Sequence, residues 1–145
     1  MSSGNRELVS RWVNAYQGGQ AAVLAAVADV FAADCVVHDP IGEIRGTGAL
    51  RESVRSWFEA MPDLRIRIEK VLADGDHVAY RFNFQGTQKG QFMGFRASGN
   101  QVHGSINAIA WIVDGKIAEQ WQSWDFHGFL LQLTRPERVA AVTRP

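Results

Sequence analysis

Apolar positions in the first part of the chain recur at the three- and four-residue spacing of helices. Residues 5–16, "NRELVSRWVNAY", place Leu8 and Trp12 on one face. A second helix is predicted over the alanine-rich segment "QAAVLAAVADVFA", and a third over "TGALRESVRSWFEAMPD", which ends near Pro62. The pattern therefore predicts three helices before the main run of strands.

The second part of the chain alternates between apolar and polar residues or runs in β-branched and aromatic residues, as strands do. The segments are "LRIRIEKVLAD", "HVAYRFNFQGTQ", "NQVHGSINAIAWIV" and "KIAEQWQSWD", and a short extended stretch, "CVVHDP", precedes the third helix. Hairpin connections predict a curved antiparallel sheet. With three N-terminal helices packed on one face, the prediction is an α+β fold with an interior cavity. A length of 145 residues predicts a single domain over residues 1–145.

Composition and charge point to a small ligand of low charge. The chain has 15 basic and 15 acidic residues and a formal net charge of zero, which indicates neither a nucleic-acid surface nor a polybasic membrane contact. Cys35 is the single cysteine, so no intrachain disulfide forms, and it is interpreted as a buried hydrophobe. The first ten residues have no apolar leader pattern, and we expect a cytoplasmic protein.

Motifs for cofactors and metals are absent from the sequence. It contains neither a GxGxxG fingerprint nor a GxxxxGK[ST] loop, and its four histidines show no HxH or HxxxH spacing. We therefore expect no cofactor and no metal.

Four segments carry a resemblance to a known family. The segments "WVNAY", "HDP", "MPDLRIRIEKVLADGDHVAYRFNFQGTQKGQFMG" and "IVDGKIAEQWQSWDFHGFLLQL" resemble the SnoaL-like family of NTF2-like proteins, from about Arg6 to Leu133. The most specific part is "DGKI" followed eight residues later by "DF.G...QL". The resemblance implies a cone-shaped α+β barrel with an interior apolar cavity. It also implies a polycyclic aromatic polyketide substrate, as in anthracycline antibiotic biosynthesis, where relatives act as aldol cyclases or hydroxylases.

Asp125 is the first candidate for catalysis, because the resemblance matches it to the aspartate that moves a proton in the cavity of the cyclases. A carboxylate among tryptophans loses solvation and becomes more basic, which suits proton transfer. The alternative is that Asp125 caps the turn "FHGFLL" by accepting backbone N–H bonds.

His38 is the second candidate, since the family often has a polar residue facing the cavity at the end of this strand. It would hold a phenol or enol oxygen or relay a proton to Asp125. The alternative is a hydrogen bond to a loop carbonyl.

Ile106 and Ala108 stand where the resemblance places a glutamine and a histidine that contact the substrate in cyclases. Two apolar residues cannot polarise a carbonyl. A hydroxylase that adds oxygen to the polyketide is therefore favoured, with electrons from a reduced substrate or a reductase partner. An aldol cyclase is the second interpretation, and a non-catalytic binding protein the third.

Aromatic residues are predicted to shape the substrate cavity, because rigid rings offer large contact area to a flat polyketide. By family position we expect substrate contacts from Trp12, Phe58, Trp121 and Trp124, with Ile106 and Ala108 on the wall. The glycine-rich segment "KGQFMGFRASGN" suits a mobile flap at the cavity mouth that carries Phe92 and Met93.

The strand that contains Ile106 has two different faces. Its outer face carries Asn107, Ile109 and Trp111, a set too apolar for simple exposure. We expect this face to pack on a second subunit in a homodimer.

Overall fold

The computed structural model describes residues 2–135, in which four helices accompany one six-stranded sheet. In chain order the elements are α1 (Ser2–Asn14), a 3-10 helix (Ala15–Gly18), α2 (Gln20–Val30), β1 (Phe31–Asp39), β2 (Gly42–Arg45), α3 (Gly46–Ala60), β3 (Arg65–Asp74), β4 (His77–Thr87), β5 (Gln101–Val113), β6 (Lys116–Trp124) and α4 (Phe126–Thr134).

The helices form where apolar residues recur at helical spacing. α1 buries Leu8 and Trp12 on one face, and α3 buries Leu50, Val54 and Phe58. The α+β class is therefore as predicted, but the prediction of three N-terminal helices is only partly right. α3 follows two strands, and α4 is a fourth helix, formed by the apolar run "FHGFLLQLT".

The sheet is mixed rather than antiparallel. Its strand order is β2-β1-β6-β5-β4-β3, and every neighbouring pair is antiparallel except β1 and β6, which are parallel. The prediction of four antiparallel strands missed β1 as a full member of the sheet. β1 follows α2 directly and pairs with strands on both sides, which the short pattern "CVVHDP" did not reveal.

Bulges curve the sheet and change which residues face inward. On β6, Ile117 pairs with Ile112 and Glu119 pairs with Trp111, so Ala118 is an extra residue opposite β5. Beyond this bulge the residues with even numbers face the helices. Gln120 is accordingly buried, although Ile117, three residues earlier, is buried too.

The core lies between the helices and the inner face of the sheet. β4 alternates strictly, and its Val78, Tyr80, Phe82 and Phe84 are buried against the helical layer. Side chains on the opposite face of the sheet are half-buried or exposed.

The segment between β4 and β5, predicted as a flap at the cavity mouth, is anchored in the core. The buried Gln88 side chain donates to the carbonyls of Gly90 and Phe95, and it accepts from the backbone of Ser98. Phe92 is buried, with its ring centroid 4.7 Å from that of Trp57. Neither Phe92 nor Met93 lines the interior cavity described below, and a flap that brings them to a substrate stays a prediction.

Gly90 tests this anchoring, because a Cβ atom there would overlap the carbonyl oxygen of Glu59. We expect Gly90→Ala to lower the free energy of unfolding by about 1–3 kcal/mol through overpacking. Gly48→Ala in α3 is the matched control, since its Cβ would meet nothing within 4 Å and alanine favours helix. Urea unfolding of both variants makes the measurement. Equal stabilities would contradict the close packing of this loop.

Candidate active site

An interior cavity of about 330 Å³ lies between the helices and the inner face of the sheet. Its walls are largely apolar and aromatic, with Trp12 from α1, Leu50 and Trp57 from α3, and Phe82 and Ile106 from the sheet. The volume falls within the range of small-molecule sites, about 300–1,000 Å³. The cavity therefore suits a small, flat, mainly apolar ligand.

A carboxylate from the end of β1 faces into this cavity. Asp39 Oδ2 accepts a hydrogen bond from Gln122 Nε2 at 2.6 Å and one from the Trp124 indole N–H at 3.0 Å, while Oδ1 accepts from the Ile41 backbone N–H at 2.9 Å. All four residues line the cavity. Three N–H donors thus fix the carboxylate in one orientation and leave lone pairs for a ligand.

The hydrogen bonds continue from Asp39 along a chain of polar side chains. Tyr80 donates its hydroxyl proton to Gln120 Oε1 at 2.7 Å, and Gln120 Nε2 donates to Gln122 Oε1 at 2.7 Å. Because a carboxylate can only accept, its bond from Gln122 sets the direction of every bond in the chain. Each glutamine keeps a second N–H that the chain does not use.

Strand alternation explains why these residues meet. On β1, Val37 and Asp39 face inward and His38 faces outward. On β6 the bulge at Ala118 turns Gln120, Gln122 and Trp124 toward the cavity. Parallel pairing sets Val37 opposite Gln120 and His38 opposite Trp121.

Asp125, the first catalytic candidate, lies outside the cavity. Its side chain is exposed and accepts a hydrogen bond from the Gly128 backbone N–H at 2.8 Å, as the N-cap of α4. A Cβ atom at position 128 would overlap the Asp125 carboxylate, so the glycine makes room for this cap. The expectation that Asp125 faces the substrate is therefore corrected, and capping is the interaction that the structure shows.

His38 also faces away from the cavity. Its Nε2 lies 2.6 Å from Glu119 Oε2 and its Nδ1 lies 3.0 Å from Glu43 Oε2. The ring stacks on Trp121 at a centroid distance of 5.8 Å. The predicted relay from His38 to Asp125 has no geometric support in this arrangement.

The remaining substrate-binding candidates divide into two groups. Trp12, Ile106 and Trp124 line the cavity, and their contact with a substrate stays a prediction. Phe58 and Ala108 are buried nearby without lining it, whereas Trp121 is 41% exposed on the outer face.

The sequence contained part of the information about which residues of β6 face the cavity. Trp121 and Trp124 are three residues apart, so a regular strand cannot turn both of them inward. Asp39, Gln120 and Gln122 were not among the predicted site residues. For the two glutamines the reason is that only the bulge reveals which residues of β6 face the cavity. On β1, the alternation of His38 and Asp39 places only one of the two side chains toward the cavity.

The outer face predicted to form a dimer carries a cleft. Asn107 and Ile109 line it together with Trp121, and Trp111 lies further along the same face, donating to Asp76. Homodimerisation through this face stays a prediction.

Residues 2–135 hold no group of three or more histidine, cysteine or acidic side chains that could bind a metal ion, and Cys35 is a buried free cysteine. None of the helices in this range has the length and apolar character to cross a membrane. The cytoplasmic location stays a prediction.

Comparison with known proteins identifies relatives. The family model for SnoaL-like polyketide cyclase matches residues 6–133. A candidate SnoaL-like polyketide cyclase from Jannaschia sp. CCS1 is 21% identical, with a TM-score of 0.85, and the match covers 94% of this chain and 95% of that one. TsrD from Streptomyces laurentii is 26% identical, with a TM-score of 0.80 and coverage of 92% and 96%.

A third structure is a candidate hydroxylase, AclR from Streptomyces galilaeus. It is 23% identical, with a TM-score of 0.79 and coverage of 94% of this chain and 100% of that one. No curated protein sequence matches the chain. At such identities these structures show a common fold, and the reaction has to be argued from the site.

Both tyrosines of the chain provide a test of this interior. Burial raises the pKa of Tyr16 and that of Tyr80. A tyrosine whose pKa is raised by folding contributes stability below its unfolded pKa of about 10, and this contribution is lost as the pH rises. We expect no tyrosinate absorbance from the native protein at that pH, whereas the urea-unfolded chain ionises. An absorbance titration of both states checks this, and native ionisation near pH 10 would contradict it.

The roles of the two aspartates can be separated by substitution. Asp125→Ala removes the α4 cap and should lower the free energy of unfolding by about 1 kcal/mol, whereas Asp125→Asn keeps a good N-cap and should change it little. Chemical denaturation makes the measurement. Equal destabilisation by Asn and Ala would argue against the capping role.

Proposed function

Because the chain belongs to the SnoaL-like polyketide cyclase family, we propose that it is an enzyme that transfers protons on an aromatic polyketide, with the Asp39 carboxylate as the base. The observation that carries this proposal is the position of Asp39, half-buried on the wall of a largely apolar cavity and oriented by Gln122 and Trp124. Glu43 also reaches the cavity, but its carboxylate is bound by Arg45 and His38.

The reaction that this site supports best is an intramolecular aldol condensation that closes a ring. Asp39 takes a proton from the carbon next to a carbonyl group, and the electron pair of the broken C–H bond forms an enolate. The enolate carbon attacks a second carbonyl of the same molecule and forms the new C–C bond. The resulting alkoxide regains the proton from Asp39, so the product is an isomer of the substrate.

Charge develops on oxygen during this reaction, and the cavity has donors for it. The second N–H groups of Gln120 and Gln122 are fixed beside Asp39 by the hydrogen-bond chain. Fixed donors of this kind stabilise an enolate oxygen or alkoxide without having to reorient. They come from β6, next to the strand on which Ile106 and Ala108 left the cyclase pattern incomplete.

The same observation changes the ranking of the reactions. The hydroxylase was favoured because Ile106 and Ala108 are apolar, and Ile106 does line the cavity. The two glutamines supply polar groups from a different strand, which supports the cyclase. Hydroxylation remains the second candidate, in which Asp39 removes a phenolic proton while oxygen and electrons come from an external oxidant and reductant.

The walls favour a polycyclic substrate of the anthracycline type. Trp12, Trp57 and Phe82 contribute aromatic surface to the cavity of about 330 Å³. Flat rings gain contact area against such walls at a low entropic cost. A tricyclic precursor with a methyl ester side chain meets these requirements, since the ester acidifies the neighbouring carbon.

Turnover of this precursor tests the proposal. We expect wild-type protein to yield a ring-closed isomer without oxygen, and Asp39→Asn to lose at least about 100-fold in kcat, as is typical when a general base is removed. Asp125→Asn makes the same chemical change outside the cavity and should retain activity. Liquid chromatography with mass spectrometry identifies the product.

Three outcomes would contradict the proposal. A product heavier by one oxygen that requires oxygen and a flavin reductase would identify a hydroxylase. Full activity in Asp39→Asn with loss in Asp125→Asn would return the catalytic role to Asp125. Tight binding of the precursor by wild type and Asp39→Asn without turnover would identify a binding protein.

A further inference from the structure

His38 lies between two carboxylates on the outer face of the sheet. Glu43 on β2 contacts its Nδ1 and Glu119 on β6 contacts its Nε2, at 3.0 and 2.6 Å. A neutral imidazole has one N–H donor and one lone pair, so it would present a lone pair to one of the two carboxylates. Only the protonated ring donates to both.

We propose that protonated His38 is a positioning residue that bridges Glu43 and Glu119 and thereby holds the β1–β2 hairpin, with Asp39, in its place at the cavity mouth. This inference rests on the proposed function where it concerns Asp39 as the base. The bridge itself is a property of the substrate-free protein and can be measured without turnover.

The position of the β1–β2 hairpin at the edge of the sheet leaves β2 with few backbone contacts, so side-chain contacts such as the His38 bridge matter there. β2 has four residues, lies at the sheet edge and pairs with β1. Asp39, Ile41, Gly42 and Glu43 nevertheless line the cavity. The His38 bridge connects β2 to β6, a strand that it does not reach through its backbone.

The charges around His38 form an alternating series. Arg45 contacts Glu43 Oε1 at 2.9 Å, Glu43 contacts His38, and His38 contacts Glu119. With the ring protonated, two positive and two negative charges balance. When the ring loses its proton, the series keeps one excess negative charge and one carboxylate loses its donor.

Other elements bring further charges near the ring. Lys70 of β3 and Arg81 of β4 line the outer cleft that His38 also lines, and Arg81 is paired with Glu69. Asp39, adjacent in the chain, lines both this cleft and the interior cavity, and its carboxylate accepts from Gln122, Trp124 and the Ile41 backbone. The carboxylates that the ring contacts are therefore those of the two glutamates.

A ring without its second N–H would keep a donor for only one of the two glutamates, and the bridge to the other would be lost. Increased motion of Ile41 and Asp39 then weakens substrate binding and alignment. Since His38 is on the far side of β1 from the cavity, this effect reaches the substrate through Asp39 and the hairpin.

The test is amide hydrogen exchange of the substrate-free protein, measured by NMR at pH values from about 5.5 to 8.5. After correction for intrinsic rates, amides of residues 39–45 should exchange about three- to tenfold faster in His38→Gln than in wild type, with β4 and β5 as the reference. Wild type should approach the variant as the pH rises. His38→Arg keeps a charge with several donors and should remove the pH dependence.

Glu119→Gln provides a second variant if His38→Gln does not fold, because it removes one partner and leaves the ring. Unchanged hairpin exchange in a folded variant would overturn the proposal, as would ring 15N shifts showing a neutral imidazole across the whole pH range. Catalysis is then measured separately, where His38→Gln should raise KM about threefold or more relative to His38→Arg.

The two proposals fail in different ways. A pH-dependent hairpin in a wild-type protein that turns over no polyketide would support the bridge and reject the proposed function. If turnover depends on Asp39 but amide exchange in the hairpin is the same in wild type and His38→Gln, the bridge is rejected and the proposed function stands.

Discussion

A half-buried carboxylate on an apolar cavity wall needs N–H donors in place of the water that it has lost, and this constraint connects the features around Asp39. Gln122, Trp124 and the Ile41 backbone provide the three donors. Gln122 in turn needs a donor for its own oxygen, which Gln120 supplies, and Tyr80 supplies one for Gln120. These polar groups therefore form one chain of hydrogen bonds. The Asp39 carboxylate at its end can only accept, and this fixes the donor and the acceptor of every bond in the chain.

This set depends on one irregularity of the sheet. If Ala118 were paired in regular alternation instead of forming the bulge, the alternation that buries Ile117 would continue to Trp121 and turn Gln120 and Gln122 outward. A bulge that changes the face of a strand is a known way to aim side chains at a site. Here it exchanges a tryptophan for two amides on the cavity wall and so provides the donors that Asp39 requires.

The sequence predicted what depends on regular periodicity. The helices that carry Trp12 and Leu50 and the alternation of β5 follow from local apolar spacing, and the SnoaL-like resemblance supplied the cone-shaped arrangement. The parallel pairing of β1 with β6 joins segments about eighty residues apart, which local patterns do not encode. For the same reason, the sequence did not predict which of the two aspartates, Asp39 or Asp125, faces the cavity. Bulge and cap geometry distinguishes the two residues, and their neighbours in sequence do not.

Strand β1 links the two sides of the sheet at the proposed active site. His38 and Asp39 are consecutive, so their side chains belong to an ionic series on the outer face and to the hydrogen-bond chain in the cavity. Both faces share the backbone of the strand. A backbone shift that follows the loss of a contact on one face therefore also moves the side chains on the other face. A substitution at His38 can therefore alter the chemistry of a ligand that it never touches, and loss of activity there is by itself no sign of contact with the substrate. The separation of KM from kcat, together with exchange rates of the hairpin amides, distinguishes such indirect positioning from direct catalysis.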